Sequence, residues 1–109
     1  MMAFIEITSV EEFNQKVLLQ NGLSVVCFWA EWCAPCKVMG PVLEQVAIDL
    51  DKEATFFSVN ADLVKELCLT YDVEGIPTIL LFKEGKELDR IAGYKKASVL
   101  EELIHELKG

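Results

Sequence analysis

Positive charge is scarce in this chain. Ten Lys and Arg stand against 18 Asp and Glu, for a net charge of −8. A phosphate-binding surface needs clustered cations, and these ten are scattered, so no nucleic acid partner is expected. No apolar run approaches the ~18 residues that a membrane span needs, which excludes a membrane protein of the helical kind. The start, Met1-Met2-Ala3-Phe4-Ile5-Glu6, has no basic segment followed by a long apolar stretch, and no Arg-rich character. Neither a signal peptide nor a transit peptide is expected, and a cytoplasmic location follows. Repeats, low-complexity segments and linkers are also missing, so the 109 residues form one expected domain, 1–109, with a single core.

Cysteine is sparse too. Four cysteines in a chain without an export signal do not make a structural disulfide framework, because a reducing cytosol would keep most of them open. A close pair in that setting points to redox catalysis or to metal binding.

Such a pair is present. Trp32-Cys33-Ala34-Pro35-Cys36-Lys37 follows the apolar run Val25-Val26-Cys27-Phe28-Trp29-Ala30 and leads into an amphipathic stretch from Val38 to Leu50. The run suits a central parallel strand covered on both faces, and the stretch suits a helix from near Ala34, with Pro41 inside it. Two thiols at that junction can open and close as a disulfide. Cys33 falls at the helix start, where unpaired N–H groups and the helix dipole favour a thiolate. Pro35 fits the first turn, where its missing N–H would be unpaired anyway. Cys33 is therefore expected to be accessible and ionised, and Cys36 to sit deeper and react second.

Around the motif the periodicity predicts a short strand at Phe4 to Ile7 and a helix opened by the capping box Ser9-Val10-Glu11-Glu12. A strand near Phe56 to Val59, a helix over Val64 to Tyr71, a hairpin of Thr78 to Phe82 and Glu87 to Ala92, and a closing helix from about Lys96 to Leu107 complete the order. This β-α-β-α-β-α-β-β-α pattern gives an α/β fold with a mixed sheet of about five strands between four helices.

At this point the chain resembles the thioredoxin family over essentially its whole length. Phe28 to Lys37 is similar to the family's active-site segment, and Pro41 falls where the family kinks its long helix. Gly75-Ile76-Pro77-Thr78 resembles the cis-proline loop, Phe82-Lys83-Glu84-Gly85 the hairpin, and Gly93 a glycine beside the active site. The resemblance implies the thioredoxin fold, with Cys33 attacking, Cys36 resolving and Pro77 cis near the cysteines. It also implies an apolar docking surface of Trp32, Pro35, Ile76, Pro77 and Gly93, where a client segment pairs with the Ile76 backbone. The function implied is reduction of disulfides in client proteins by the dithiol itself, which carries the electrons with no bound cofactor and is restored by NADPH acting through a thioredoxin reductase.

Acidity alone gives little. Lowering a thiol from pKa ~8.5 to ~7 raises the thiolate at pH 7 from ~3% to ~50%; the lower figure is thioredoxin's own, not one obtained from this chain. Weaker nucleophilicity cancels about fivefold of that roughly 16-fold gain. Intramolecular attack by a second cysteine matters more.

Two positions depart from the family. Cys27 stands where a buried Asp is usual, and Ser58 where a Lys is frequent. The Asp is commonly given the role of accepting the proton of the resolving thiol, so Cys36 is expected to lose its proton to water or to another group, more slowly. Ala34 replaces the more frequent Gly and stiffens the loop.

The alternatives are few. Half a zinc site would need ligands from Cys27, Cys68 and His105, which form no second knuckle, so no metal is expected. Cys27 and Cys68 are expected as core residues, His105 as a surface residue and Trp29 as packing. An oxidase or isomerase of the same fold and a non-catalytic protein-binding scaffold remain as other functions. Nothing requires more than a monomer.

Overall fold

The computed structural model describes residues 2–109; Met1 lies outside the described residues. In chain order the elements are β1 (Ile5–Ile7), α1 (Val10–Phe13, continued by a π-helical stretch Asn14–Leu18), β2 (Leu23–Trp29), α2 (Ala34–Asp49), β3 (Thr55–Asn60), α3 (Lys65–Thr70), β4 (Thr78–Lys83), β5 (Lys86–Ala92) and α4 (Ala97–Leu107). The expected order holds. Among the described residues, five strands form one sheet in the order β1-β3-β2-β4-β5. β1, β3 and β2 are parallel, and β4 runs antiparallel to both β2 and β5.

The side-chain period of two assigns each strand residue to a face. Val25, Cys27, Phe56, Ile79 and Leu81 share a core with Met39, Leu43 and Val46 of α2 and with Leu100 and Ile104 of α4. Val26, Phe28, Phe57, Val59, Leu80 and Phe82 pack on the other face with Phe13 and Val17 of α1 and Leu67 of α3. β2 is covered on both sides, which explains its unbroken apolar run. The sheet edges are polar: β1 is three residues long and carries Glu6, and β5 carries Lys86, Glu87, Asp89 and Arg90.

The predicted capping box forms with one change. Ser9 Oγ accepts the Glu12 N–H (3.0 Å), but the Glu12 carboxylate accepts the Thr8 N–H (2.7 Å) rather than that of Ser9. The Thr8 amide, and then Lys16, hold the Glu12 carboxyl below its ordinary range. Loss of the Ser9 cap should cost about 1 kcal/mol. In a chain of this size that corresponds to a fall in Tm of about 4 °C, to be read from thermal melts of Ser9→Ala.

Candidate active site

β2 delivers the chain from the middle of the sheet to its rim, and α2 starts after the four residues 30–33. Cys33 is the N-cap of α2, in extended conformation, and its Sγ accepts the Cys36 N–H at 3.2 Å. One of the helix's unpaired donors thus points at sulfur 33, where it favours negative charge once the pair is open. Pro35 occupies the first turn, as expected. Cys33 and Cys36 are joined as a disulfide, with Cα atoms 5.2 Å apart.

The loop before β4 closes over this pair. The Ile76–Pro77 peptide bond is cis. Cys33 Sγ lies 3.6 Å from the Ile76 carbonyl oxygen. Gly93 N–H donates to the Pro77 carbonyl at 2.8 Å, and its φ of +81° is a conformation that favours glycine. Arg90, held by both oxygens of Glu87, donates to the carbonyls of Tyr71 (2.8 Å) and Asp72 (3.3 Å), tying the approach to the loop onto β5. A groove of about 270 Å³ runs past Gly75, Ile76, Thr78, Ala92 and Gly93.

The family model for thioredoxin matches residues 4–106. The chain belongs to the thioredoxin family. A thioredoxin of Staphylococcus aureus is 35% identical over 103 residues, covering 94% of this chain and 96% of the relative. The crystal structure of the thioredoxin of Malassezia sympodialis, described as a member of a pan-allergen family, superposes with a TM-score of 0.88. It is 29% identical and covers 97% of this chain and 91% of its own. With the Cys33–Cys36 pair in bonding contact, this thioredoxin-family chain is a thiol–disulfide oxidoreductase that reduces protein disulfides.

One expectation about the pair is corrected. Cys36 was predicted to lie deeper than Cys33, yet in the closed disulfide Cys33 is 2% exposed and Cys36 is half-buried. The reason is lateral. The Ile76 loop covers Cys33, whereas Cys36 opens sideways onto a cavity of about 380 Å³ between α2 and the β1 edge. Pro77 is buried, Ile76 and Gly93 are half-buried, and Pro35 is exposed.

Trp32 is 69% exposed and does not line the Ile76 groove. Its indole N–H donates to Asp62 Oδ2 at 2.9 Å, and the Asp62 N–H is in turn held by Asn60 Oδ1 at 2.9 Å. Sequence reasoning missed Asn60 and Asp62. The available signal was the polar break Asn60-Ala61-Asp62 at the end of an apolar strand.

Cys27 is fully buried beneath the site, and burial pushes its thiol up to about 12. Ser58 lies beside it in register on β3. Cys68, expected in the core, packs against the core beneath α3 but is only half-buried. Its thiol lies 4.0 Å from the Ala61 carbonyl oxygen, and burial together with Asp62 raises its pKa. Trp29 packs half-buried with its indole N–H lacking a partner among the described residues, and His105 is exposed. Among the described residues no three His, Cys, Asp or Glu side chains are grouped as a metal site requires.

Proposed function

We propose that this protein is a cytoplasmic, monomeric disulfide reductase in which Cys33 attacks the client disulfide and Cys36 resolves the mixed disulfide. The observation that carries this order is the position of sulfur 33. It caps α2, accepts the Cys36 N–H, and lies beside the Ile76 carbonyl, so a client strand pairing with Ile76 brings its own sulfur to Cys33. Cys36 opens on the opposite side, away from that edge. Its greater exposure in the closed form therefore faces solvent rather than a docked client.

Ile76, Pro77 and Gly93 form the docking edge in this reading, with Trp32 and Pro35 as its outer apolar border. Trp32 is held by Asp62 and stays exposed, which suits a contact surface. A thioredoxin reductase restores the dithiol with electrons from NADPH, and the two sulfurs carry those electrons without a bound cofactor.

Reduction of insulin disulfides, coupled to a thioredoxin reductase and NADPH, tests the direction of electron flow. Consumption of NADPH should depend on both proteins and on insulin. A Cys33/Cys36 potential near the ~−120 mV of a strong periplasmic oxidant, together with no coupled turnover, would reverse the assignment.

A further inference from the structure

Resolution of the mixed disulfide needs Cys36 as a thiolate, so a proton must leave a half-buried thiol. Directly below the site there is nothing to take it. Cys27 is itself a neutral, fully buried thiol, and its neighbour on β4 in the same register is Ile79. The way out is lateral. Cys36 lines the cavity of about 380 Å³, and Glu6 and Ser58 line the same cavity. The register accounts for this: Cys27 on β2 pairs with Ser58 on β3, and Ser58 pairs with Glu6 on β1. Parallel partners point to one face, so the three form a row that leads from beneath the cysteines to the sheet edge, on the side covered by α2. A cavity of this volume, with Glu6, Glu31, Lys37 and Ser58 among its lining residues, has room and polar partners for several water molecules at ~30 Å³ each.

We propose that the Glu6 carboxylate takes the proton of Cys36, relayed through water and the Ser58 hydroxyl in this cavity, as Cys36 displaces the client from Cys33. The proposal rests on the order of attack given above. The Cys36 S–H bond breaks and its proton passes to Glu6. The Cys36–Cys33 bond forms while the bond from Cys33 to the client sulfur breaks, and the client sulfur leaves as a thiolate with the electron pair. The client disulfide has then gained two electrons and the dithiol has lost two; Glu6 returns its proton to solvent or to the departing thiolate.

The other ionisable groups facing Cys36 fit less well. Lys37 of α2 presents an ammonium, which has no lone pair to accept with. Glu31 also lines the cavity and, like Glu6, is exposed, but it comes from the turn before Cys33 whereas Glu6 stands in the strand row next to Ser58. Glu44 of α2 is occupied, with both oxygens accepting the Ala3 N–H at 2.9 Å. Glu6 is thereby a positioning residue, acting on Cys36 through the cavity rather than by contact.

An aryl disulfide that releases a coloured thiolate separates the steps. Mixed with excess reduced protein, it gives one release when Cys33 attacks and a second when Cys36 resolves. Glu6→Gln should leave the first release unchanged and slow the second roughly tenfold near pH 6, below the ~10²–10⁴ of a directly contacting base. The difference should vanish by about pH 9, where the thiol ionises without help. Glu31→Gln should change neither release. A second release in Glu6→Gln that matches the unaltered protein at every pH, or that is slowed equally at every pH, overturns the proposal. So does a Glu31→Gln variant that carries the effect instead. A first release that survives Cys33→Ser is a different failure: it removes the order of attack itself.

Discussion

Cys33→Ser should abolish disulfide reduction, by about 10³-fold or more, while Cys36→Ser should still react once and stop. A serine hydroxyl is scarcely ionised at neutral pH, and the N–H that Cys36 donates to position 33 cannot make up that difference. With Cys33 intact and Cys36 replaced, attack on a client disulfide still proceeds. The mixed disulfide then persists, because the intramolecular displacement that would release it is gone. Non-reducing electrophoresis and intact mass should show a client adduct on Cys36→Ser and none on Cys33→Ser. The opposite pattern would give the attacking role to Cys36. Its half-exposed position in the closed disulfide makes this a real contest, decided by whether the Ile76 edge or the cavity side receives the client.

Cys27→Asp should be nearly as stable as the parent near pH 4 and less stable by ~1–3 kcal/mol at pH 7. The site is fully buried, with Ser58 as its polar neighbour in register, and burial already pushes the Cys27 thiol up to about 12. The same environment raises the folded-state pKa of a carboxyl above its unfolded ~3.9. The folded state then holds a proton that the unfolded chain releases, so stability is kept below the unfolded value and lost as pH rises through the folded one. The parent behaves likewise at alkaline pH. Relative to Cys27→Ala it should lose about 1.4 kcal/mol per pH unit between roughly pH 9 and pH 12, as the unfolded thiol ionises and the buried one does not. Denaturant titrations across pH measure both slopes. The introduced carboxylate should also quicken the second thiolate release at neutral pH, because it supplies an acceptor below Cys36. Unchanged turnover together with unchanged stability would defeat this account of position 27.

Much of the architecture was legible because its causes are local. The two-sided apolar run Val25 to Ala30 marked a central strand, and Val64, Leu67, Cys68 and Tyr71 marked α3 by spacing alone. The Cys33–Cys36 junction and the loop at Pro77 followed from motif and resemblance. What escaped depends on distant segments meeting. Cys36 opens sideways onto a cavity whose wall is completed by Phe4 and Glu6 from the start of the chain and by Ser58 of β3. Trp32 is held by Asp62, thirty residues on. Cys68 has the spacing of a core residue and packs against the core, but its thiol is left half-buried beside the Ala61 carbonyl. In the cap of α1 the Glu12 carboxylate takes Thr8, which offers both its N–H and its hydroxyl, instead of the Ser9 N–H.

The charged rim of the sheet has a consequence for crowded solution. Unpaired strand edges invite foreign chains to add on, and the usual defence is charge and brevity. β1 offers three residues with a carboxylate in the middle, and β5 presents two cations and two anions in its first five residues. That fence ends at Ala92 and Gly93, beside Ile76 and the disulfide. If clients dock at the Ile76 edge as proposed, visiting backbone is turned away along the flanks and admitted at one gate, and resistance to fibril growth and selectivity for extended substrates arise from the same distribution of side chains.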